Sequence, residues 1–269
     1  MLRLEYPATA DPRPRWGYGR PVQAGVAELF ERGYERARAT LRDVAAQATG
    51  LGAIPSGPPD DRSPCWINEW LIGLDTASLY AFVRDRKPGR YVEVGSGQST
   101  RVVRRAVADA EATTFIRSID PVPRVAIDAL CDEVIRSPLE TVDLGRAFGD
   151  LTDGDVVFFD GSHRVLPGSD CVSFYVDVLP NLPSGVLVGI HDIWLPDDYP
   201  PGFFELWWSE QYLLAAVLLA DGGRRYDVVL PCYWASGVPS LAAELEPVWA
   251  QPSTVGVNRR GTALWLEVR

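Results

Sequence analysis

Two histidines are present in the sequence, and each lies close to an aspartate just after a short apolar run. Residues 155–163 read D-V-V-F-F-D-G-S-H, so that Asp160 and His163 follow the first run. Residues 186–193 read V-L-V-G-I-H-D-I, so that His191 and Asp192 follow the second. Carboxylate oxygens and imidazole nitrogens are ligands of divalent cations, and histidine also exchanges a proton near neutral pH. The pattern therefore indicates metal binding or proton transfer, with loop capping by the two aspartates as the alternative.

A glycine-rich turn lies earlier in the chain, where residues 91–100 read Y-V-E-V-G-S-G-Q-S-T. Gly95 and Gly97 allow the backbone to turn tightly and to approach a ligand closely. Asp120 ends the next apolar run, where an acid can accept both hydroxyls of an adenosine ribose. Thr100 stands where a dinucleotide site has a third small residue, and Glu93 suits a ligand with a charged amino-acid end. The turn thus predicts an adenosyl ligand without a pyrophosphate; a glycine turn that binds nothing is the alternative.

The elements that would position these residues alternate between strands and helices. Short apolar runs predict seven strands, at 91–94, 114–119, 133–136, 155–159, 185–190, 226–230 and 263–268. Helices are predicted at 76–86 (after Asp75 as a possible N-cap), 100–110, 124–130, 171–179 and 210–220. This alternation predicts an α/β fold with a doubly wound, mostly parallel seven-stranded sheet and helices on both faces. Ligands bind such sheets beyond the carboxyl ends of the strands, so Gly95, Asp160 and Asp192 should meet around one crevice.

The glycine turn, followed by a strand that ends in Asp, resembles the cofactor motif of class I (Rossmann-like) S-adenosylmethionine-dependent methyltransferases. The resemblance covers roughly residues 90–230 and implies S-adenosyl-L-methionine as the cofactor. The cofactor residues that it implies are Glu93, Gly95, Ser96, Gly97, Ser99, Asp120, Pro121 and Asp160. An NAD(P)-dependent oxidoreductase is one alternative, which Glu93 and Thr100 disfavour, and a non-catalytic adenosyl-binding module is another.

The two Asp–His pairs resemble the motifs of metal-dependent O-methyltransferases that modify natural products and sugars. In that group an Asp-x-x-His supplies a metal ligand and a general base, and an acidic pair after the fifth strand supplies further ligands. Carried over, the resemblance implies Asp160 and Asp192 as metal ligands and His163 as the general base. His191 stands where the family has an acid, and it is expected to bind the metal, Mg²⁺ or Mn²⁺, as well. The implied reaction is methyl transfer to a hydroxyl group of a small molecule, a sugar or another secondary metabolite.

Composition restricts the other classes of partner. The 269 residues carry a formal net charge of −10 without a basic stripe, which argues against nucleic-acid binding. The longest apolar run, 212–220, is far shorter than the roughly 20 residues that cross a bilayer, and the start of the sequence lacks the apolar core of a signal peptide. The four cysteines form no C-x-x-C pair and are expected to be reduced thiols. We therefore expect a cytoplasmic enzyme with a small-molecule acceptor, no nucleic-acid partner and no membrane contact.

Two further segments leave alternatives open. Residues 1–64 predict an N-terminal arm, an amphipathic helix over 26–48 and a Pro- and Gly-rich linker, ahead of a catalytic domain at 65–269. The helix could mediate a homo-oligomer, cap the crevice or pack on the domain. Residues 194–208 contain six aromatic side chains, which could form a lid over the substrate or dock the next helix on the core.

Overall fold

A seven-stranded sheet forms the centre of residues 12–269, the part of the chain that the structure, a computed structural model, describes. The strands are β1 (Arg90–Val94), β2 (Phe115–Ile119), β3 (Glu133–Ile135), β4 (Val156–Phe159), β5 (Leu187–Ile190), β6 (Tyr226–Pro231) and β7 (Leu264–Val268). Their order across the sheet is β3-β2-β1-β4-β5-β7-β6, and β7 runs antiparallel to both of its neighbours. The predicted doubly wound, mostly parallel sheet is confirmed, and each predicted strand agrees with the structure to within two residues.

The central strands form where the chain is apolar on both faces. Every residue of β4 and of β5 is buried, and the two strands pair in parallel. A parallel strand that is covered on both faces reads as a continuous apolar run, without polar alternation. The polar residues therefore begin only where these strands end, which places Asp160 and His191 directly at the carboxyl edge of the sheet.

Helices flank the sheet. They are α1 (Ala24–Arg32), α2 (Tyr34–Ala46), α3 (Ala48–Gly52), α4 (Gly73–Arg86), α5 (Gln98–Asp109), α6 (Leu144–Phe148), α7 (Asp170–Val172, continued by a π-helical turn at Ser173–Val178), α8 (Glu210–Asp221), α9 (Cys232–Gly237), α10 (Pro239–Ala242) and α11 (Glu246–Trp249). Short 3₁₀ turns lie at Asp128–Leu130, Leu139–Thr141, Leu179–Asn181, Pro201–Leu206, Ala243–Leu245 and Pro252–Thr254. Within residues 12–269, no helix has the length and apolar character needed to cross a membrane.

The N-terminal helices share one hydrophobic core with the sheet. The helix predicted over 26–48 is instead divided into α1, α2 and α3, and Gly33, which has a low helix propensity, separates the first two. α1 packs on α8, and α2 packs on α4 and β6, with Phe30 and Leu41 buried in the core. A homo-oligomer through this region stays a prediction, as does the division of the chain after residue 64. The first part of the predicted arm, residues 1–11, lies outside the described residues.

Two other helix predictions are corrected by the structure. The helix predicted over 124–130 is reduced to a 3₁₀ turn at its end, Asp128–Leu130. Asp75 is not an N-cap. It lies inside the first turn of α4, where its carboxylate accepts the backbone N–H of Thr262 at 2.8 Å. The local sequence could not indicate this inward orientation, since the partner is 187 residues away.

Candidate active site

The glycine turn forms one wall of a crevice at the carboxyl ends of β1, β2 and β4. Gly95 has a φ of +78°, a left-handed conformation that L side chains rarely adopt. A Cβ atom at this position would collide with the carbonyl oxygen of Asp160. The backbone N–H of Asp160 in turn donates to the carbonyl oxygen of Val94 at 2.8 Å. Residue 95 must therefore be glycine, because the ends of two neighbouring strands approach each other closely here.

A cavity of about 390 Å³ lies in this crevice and is lined by most of the predicted cofactor residues. The Asp120 carboxylate stands at the end of β2 and accepts the backbone N–H groups of Ser96 (2.7 Å) and Val122 (2.8 Å). The predicted residues that line the cavity are Gly95, Ser96, Asp120, Pro121 and Asp160, while Gly97 and Ser99 line an adjoining cavity of about 30 Å³. Lining residues that the motifs did not identify include Leu139, Glu140, Ser162 and Asp170. Leu139 and Glu140 follow β3, and their position beyond a strand end could have identified them from the sequence.

Glu93 differs from the other predicted cofactor residues because its side chain is fully buried under the glycine turn. Its carboxylate accepts hydrogen bonds from the hydroxyls of Tyr91 (2.9 Å) and Thr100. Thr100 also accepts the backbone N–H of Gly97 at 3.1 Å, so the carboxylate holds the turn to the start of α5. Burial raises the pKa of Glu93 to about 7, although hydrogen bonds from hydroxyl groups act in the opposite direction. Glu93 thus positions the turn, and a contact with the cofactor stays a prediction.

The Glu93→Gln variant tests this burial through the pH dependence of stability. The folded-state pKa of about 7 lies above the ordinary value of 4.5, so the protonated carboxyl favours the folded state. This stability is fully present below pH 4.5 and is lost as the pH rises through 7, by up to about 3 kcal/mol. We expect urea unfolding to show this loss in the parent and in the exposed control Glu205→Gln, but not in Glu93→Gln. Parallel pH curves for all three proteins would show that Glu93 titrates normally.

Asp160, His163 and Asp192 come together beyond β4 and β5, and each places one ligand atom within 4.8 Å of the other two. The Nε2 atom of His163 lies 3.3 Å from Asp160 Oδ1 and 3.5 Å from Asp192 Oδ2. His191 approaches the same oxygens with Nδ1, at 3.6 and 3.7 Å. His163 and Asp192 both have a φ of +58°, a conformation that costs a non-glycine residue roughly 1–2 kcal/mol and tends to occur at functional sites. The structure therefore brings all four predicted metal and catalytic residues into one cluster.

The donor atoms of this Asp–His cluster fit a divalent cation. Two ligands at about 2.1 Å from one ion, at right angles, are roughly 3.0 Å apart, so the observed separations of 3.3–3.7 Å require only small shifts. His191 is 2% exposed, and within residues 12–269 neither of its ring nitrogens makes a well-aligned hydrogen bond. An unbonded polar atom in the interior costs roughly 1–3 kcal/mol, so a bound partner is expected. Asp160, Asp192 and His191 can thus hold a metal ion with both nitrogen and oxygen donors.

The pKa values of the two histidines reflect the nearby carboxylates. Burial lowers the pKa of His163, but contacts with Asp160 and Glu210 outweigh it and raise the pKa to about 10. Burial also opposes the shift at His191, where the charges of Asp192 and Asp160 nevertheless raise the pKa well above its usual value. The carboxylates therefore favour the protonated form of both imidazoles, whose positive charge balances them. A divalent cation would replace this positive charge and release protons on binding.

Residues 92–193 match the family model described as a methyltransferase domain. The matched segment contains the glycine turn, Asp120 and the whole Asp–His cluster. These residues therefore carry a methyltransferase domain. The doubly wound sheet and the cavity beside Gly95 agree with the methyltransferase resemblance read from the sequence, which the family model confirms for residues 92–193.

Two solved structures are similar to the chain at low sequence identity. The methyltransferase PaMTH1 of Podospora anserina, bound to S-adenosylhomocysteine (SAH), is 16% identical, with a TM-score of 0.45 over 90% of this chain and 96% of that chain. A Plasmodium falciparum structure described as a protein-L-isoaspartate O-methyltransferase in complex with SAH is 15% identical, with a TM-score of 0.33 over 62% of this chain and 83% of that chain. No curated protein matches the chain at a significant level.

A second cavity, of about 380 Å³, also borders the Asp–His cluster. His191 and Asp192 are part of its lining, together with the polar side chains of Asn258 and Arg260. Its aromatic lining residues are Tyr18, Trp70, Trp194, Phe203 and Tyr233. Trp70 also lines the small cavity beside the glycine turn, so it stands at the border between the crevice and this aromatic cavity. The segments that supply these residues are far apart in the chain, and no sequence motif connects them.

The aromatic segment 194–208 is divided between a cavity wall and packing on the core, and a role as a substrate lid stays a prediction. Trp194 and Phe203 line the aromatic cavity, with ring centroids 5.0 Å apart. Tyr199 is buried, and Trp208 packs on the ring of His163 at 4.2 Å. Trp207 is 57% exposed. Part of the segment is therefore a wall of the cavity, and part of it packs on the cluster and the core.

Two buried carboxylates contact the histidines, and the sequence motifs did not identify them. Glu210, the first residue of α8, lies 2.9 Å from Nδ1 of His163. Asp75, in α4, lies 3.3 Å from Nε2 of His191. An acid within an apolar helix is rarely buried without a partner, so the positions of Glu210 and Asp75 in the sequence indicated that each would contact a polar group. The identity of each partner could not be read from it.

Proposed function

We propose that this methyltransferase transfers the methyl group of S-adenosyl-L-methionine to a hydroxyl group of a small molecule, a sugar or another secondary metabolite. A divalent metal ion held by Asp160, Asp192 and His191 assists the reaction, and His163 is the general base. The acceptor occupies the aromatic cavity, and the cofactor occupies the crevice beside Gly95.

The position of the Asp–His cluster at the border of both cavities carries this proposal. Asp160 lines the crevice, whereas His191 and Asp192 line the aromatic cavity. A cluster in that position can act on an acceptor in the aromatic cavity while the acceptor reacts with the methyl group of a cofactor in the crevice. The aromatic cavity, at about 380 Å³, lies within the size range of small-molecule sites. The net charge of −10 gives no support to a nucleic-acid acceptor.

Each residue of the cluster has a role in the proposed reaction. Methyl transfer is an in-line displacement, so the two cavities must hold the acceptor oxygen in line with the methyl group. A bound divalent cation would lower the pKa of the acceptor hydroxyl. His163 accepts the hydroxyl proton on Nε2, the nitrogen that faces the two aspartates. The aromatic side chains around the acceptor exclude water, which strengthens the electrostatic contacts of the cluster.

The donor set bears on the choice of metal ion. Asp160 and Asp192 offer the oxygen ligands that suit both Mg²⁺ and Mn²⁺. The imidazole of His191 replaces an acid of the related enzymes, and imidazole suits transition metals better than Mg²⁺. We therefore expect Mn²⁺ to bind more tightly than Mg²⁺, although either ion can support the reaction.

A transfer assay with tritiated S-adenosylmethionine tests the proposed function. The purified protein is incubated with Mn²⁺ or Mg²⁺ and a panel of sugars, phenols and polyketides that carry free hydroxyls. We expect label in one class of acceptor, and NMR of the product should locate a new O-methyl group. Methylation of nitrogen or carbon would contradict the proposal. Calorimetric binding of NAD in place of SAH would favour an oxidoreductase, and SAH binding without any turnover would favour a non-catalytic module.

The Asp120→Ala variant tests the cofactor position. We expect the parent to bind SAH in the micromolar range, and the variant to bind it about 1.5–3 kcal/mol more weakly, because hydrogen bonds from the ribose to a charged group are lost. Isothermal titration calorimetry measures both values. Asp132→Ala is the matched control, since Asp132 also accepts a backbone N–H, from Ile116 at 2.8 Å, but does not line the crevice. Equal affinity of Asp120→Ala and the parent would place the cofactor elsewhere.

A further inference from the structure

Each histidine of the Asp–His cluster has a buried carboxylate next to the ring nitrogen that does not face Asp160 and Asp192. These carboxylates belong to Glu210 in α8 and Asp75 in α4, and both lie outside the matched segment 92–193. Their side chains are 0% and 1% exposed. Acids are almost never fully buried without a partner, so two of them beside two histidines call for an explanation.

Glu210 holds His163 through side-chain and backbone contacts. Its Oε2 lies 2.9 Å from His163 Nδ1, and its Oε1 accepts the hydroxyl of Tyr175 at 3.0 Å. The backbone N–H groups of Ser209 and Glu210 both donate to the carbonyl oxygen of His163, at 2.8 and 3.2 Å. The start of α8 thereby fixes both the backbone and the ring of His163. In this orientation Nδ1 is directed to the carboxylate of Glu210, and Nε2 is directed to the cluster.

Asp75 contacts His191 in a similar way, but here Nε2 faces the buried carboxylate and Nδ1 faces the cluster. Its Oδ2 lies 3.3 Å from His191 Nε2, at the long end for an N–H···O hydrogen bond. The carboxylate itself is fixed, because it accepts the backbone N–H groups of Thr262 and Ala263 at 2.8 Å. A small shift of the His191 ring would complete the bond. Nδ1 is then the nitrogen that remains for the cluster.

We propose that Glu210 and Asp75 are positioning residues that fix the two histidines in opposite tautomers for different tasks. His163 donates Nδ1–H to Glu210 and keeps Nε2 free to accept a proton. His191 donates Nε2–H to Asp75 and keeps Nδ1 free as a metal ligand. A carboxylate on the far N–H orients an imidazole and raises the basicity of its other nitrogen. The assignment of the two tasks rests on the proposed function.

The ring N–H protons report this arrangement. The chain has only two histidines, so ¹⁵N-histidine labelling gives ring signals from two residues, which His163→Gln and His191→Gln assign. In the EDTA-dialysed protein, where both rings favour the protonated form, we expect slow exchange and downfield signals for the N–H groups that face the two carboxylates, Nδ1–H of His163 and Nε2–H of His191, and faster exchange for the N–H groups that face the cluster. Glu210→Gln should remove only the first signal, and Asp75→Asn only the second.

Asp155→Asn is the matched control for both variants. Asp155 is also a buried acid that accepts backbone N–H groups, from Arg90 at 2.7 Å and Thr152 at 2.8 Å. It precedes β4, whereas the Asp–His cluster follows β4, so the two lie at opposite edges of the sheet. We expect Asp155→Asn to change neither ring signal.

Binding of Mn²⁺, measured from the loss of the free-ion EPR signal, separates the two tasks. Asp75→Asn should weaken Mn²⁺ binding about 10–100-fold, because the ligand His191 loses the carboxylate that orients it. Glu210→Gln should change the affinity by no more than about threefold, since its partner His163 is assigned to proton transfer and not to the metal. Asp155→Asn should bind Mn²⁺ as the parent does.

Three results would overturn the proposal. The parent spectrum could lack both protected N–H signals, or the folded variants could retain the signals and the Mn²⁺ affinity of the parent. Equal loss of affinity in Asp75→Asn and Glu210→Gln would make both histidines ligands, against the assigned tasks. If the parent does not bind Mn²⁺, the metal-assisted part of the proposed function is wrong. The ring signals would still show whether Glu210 and Asp75 hold the two histidines. The parent spectrum needs no substitution, so it decides the matter even if thermal unfolding shows that Asp75→Asn is misfolded.

Discussion

Replacement of His163 by alanine is expected to slow methyl transfer by roughly 10²–10⁴, because the acceptor hydroxyl loses the group that takes its proton. Binding of SAH should barely change, since His163 contacts Asp160, Asp192 and Glu210 and does not line the crevice. Single-turnover transfer with an acceptor found in the tritium assay gives the rate, and calorimetry gives the affinity. Retention of a rate within a few fold of the parent would assign proton removal to bulk water or to the substrate.

His191→Ala is the comparison that separates a base from a ligand. We expect this variant to lose Mn²⁺ affinity first and rate only as a consequence, so saturating Mn²⁺ should rescue it in part. His163→Ala should not be rescued in this way. If the two variants exchange these behaviours, His163 is the ligand and His191 the base, a result that agrees with the place of His191 in the lining of the aromatic cavity.

The pH dependence of the rate provides a second readout of His163. A general base acts in its deprotonated form, so the rate should rise with pH through the pKa of the imidazole. In the metal-free protein, contacts with Asp160 and Glu210 overcome the effect of burial and raise this pKa to about 10. A divalent cation in the cluster repels the proton and lowers the pKa, so the rise should move to lower pH as metal is added. This limb of the profile should be absent from His163→Ala.

Removal of the metal ion is the second change for which a large effect is expected. Dialysis against EDTA should abolish methyl transfer, and Mn²⁺ or Mg²⁺ should restore it, because the acceptor hydroxyl is a poor nucleophile near pH 7 without a cation to lower its pKa. The same ions should raise the unfolding temperature of the EDTA-dialysed protein, since they bind the folded state alone. Full activity after EDTA dialysis would leave the two aspartates as polar contacts to substrate or cofactor.

Asp192→Asn tests which residues hold the ion. A neutral amide is a weaker ligand than a carboxylate, so the Mn²⁺ concentration needed for half-maximal activity should rise by more than about tenfold. Asp197→Asn is the matched control: Asp197 lies five residues further on and accepts the hydroxyl of Tyr233 at 3.0 Å, outside the cluster. A similar rise in both variants would point to an indirect effect through the 194–208 segment.

Local patterns in the sequence determined the sheet and the composition of the cluster. The apolar runs that became β4 and β5 end abruptly at polar residues, and strands in a parallel sheet bring those ends to one edge. The sequence alone therefore predicts that Asp160, His163, His191 and Asp192 lie together. The same rule places the glycine turn and Asp120 at this edge, because each follows a predicted strand. Hydrophobic periodicity within a short segment is enough to predict such a strand.

Only the tertiary structure decided how the cluster is supported and what surrounds it. Asp75 and Glu210 stand in helices far from the motifs, and their contacts with His191 and His163 span 116 and 47 residues. The lining of the aromatic cavity likewise combines Tyr18, from the N-terminal region, with residues as distant as Arg260. Helix periodicity indicates which face of a helix is buried, but it carries no information about which residue of another element will meet that face. Such pairings depend on how all the elements pack at once, and so the orientation of each imidazole could be known only from the folded chain.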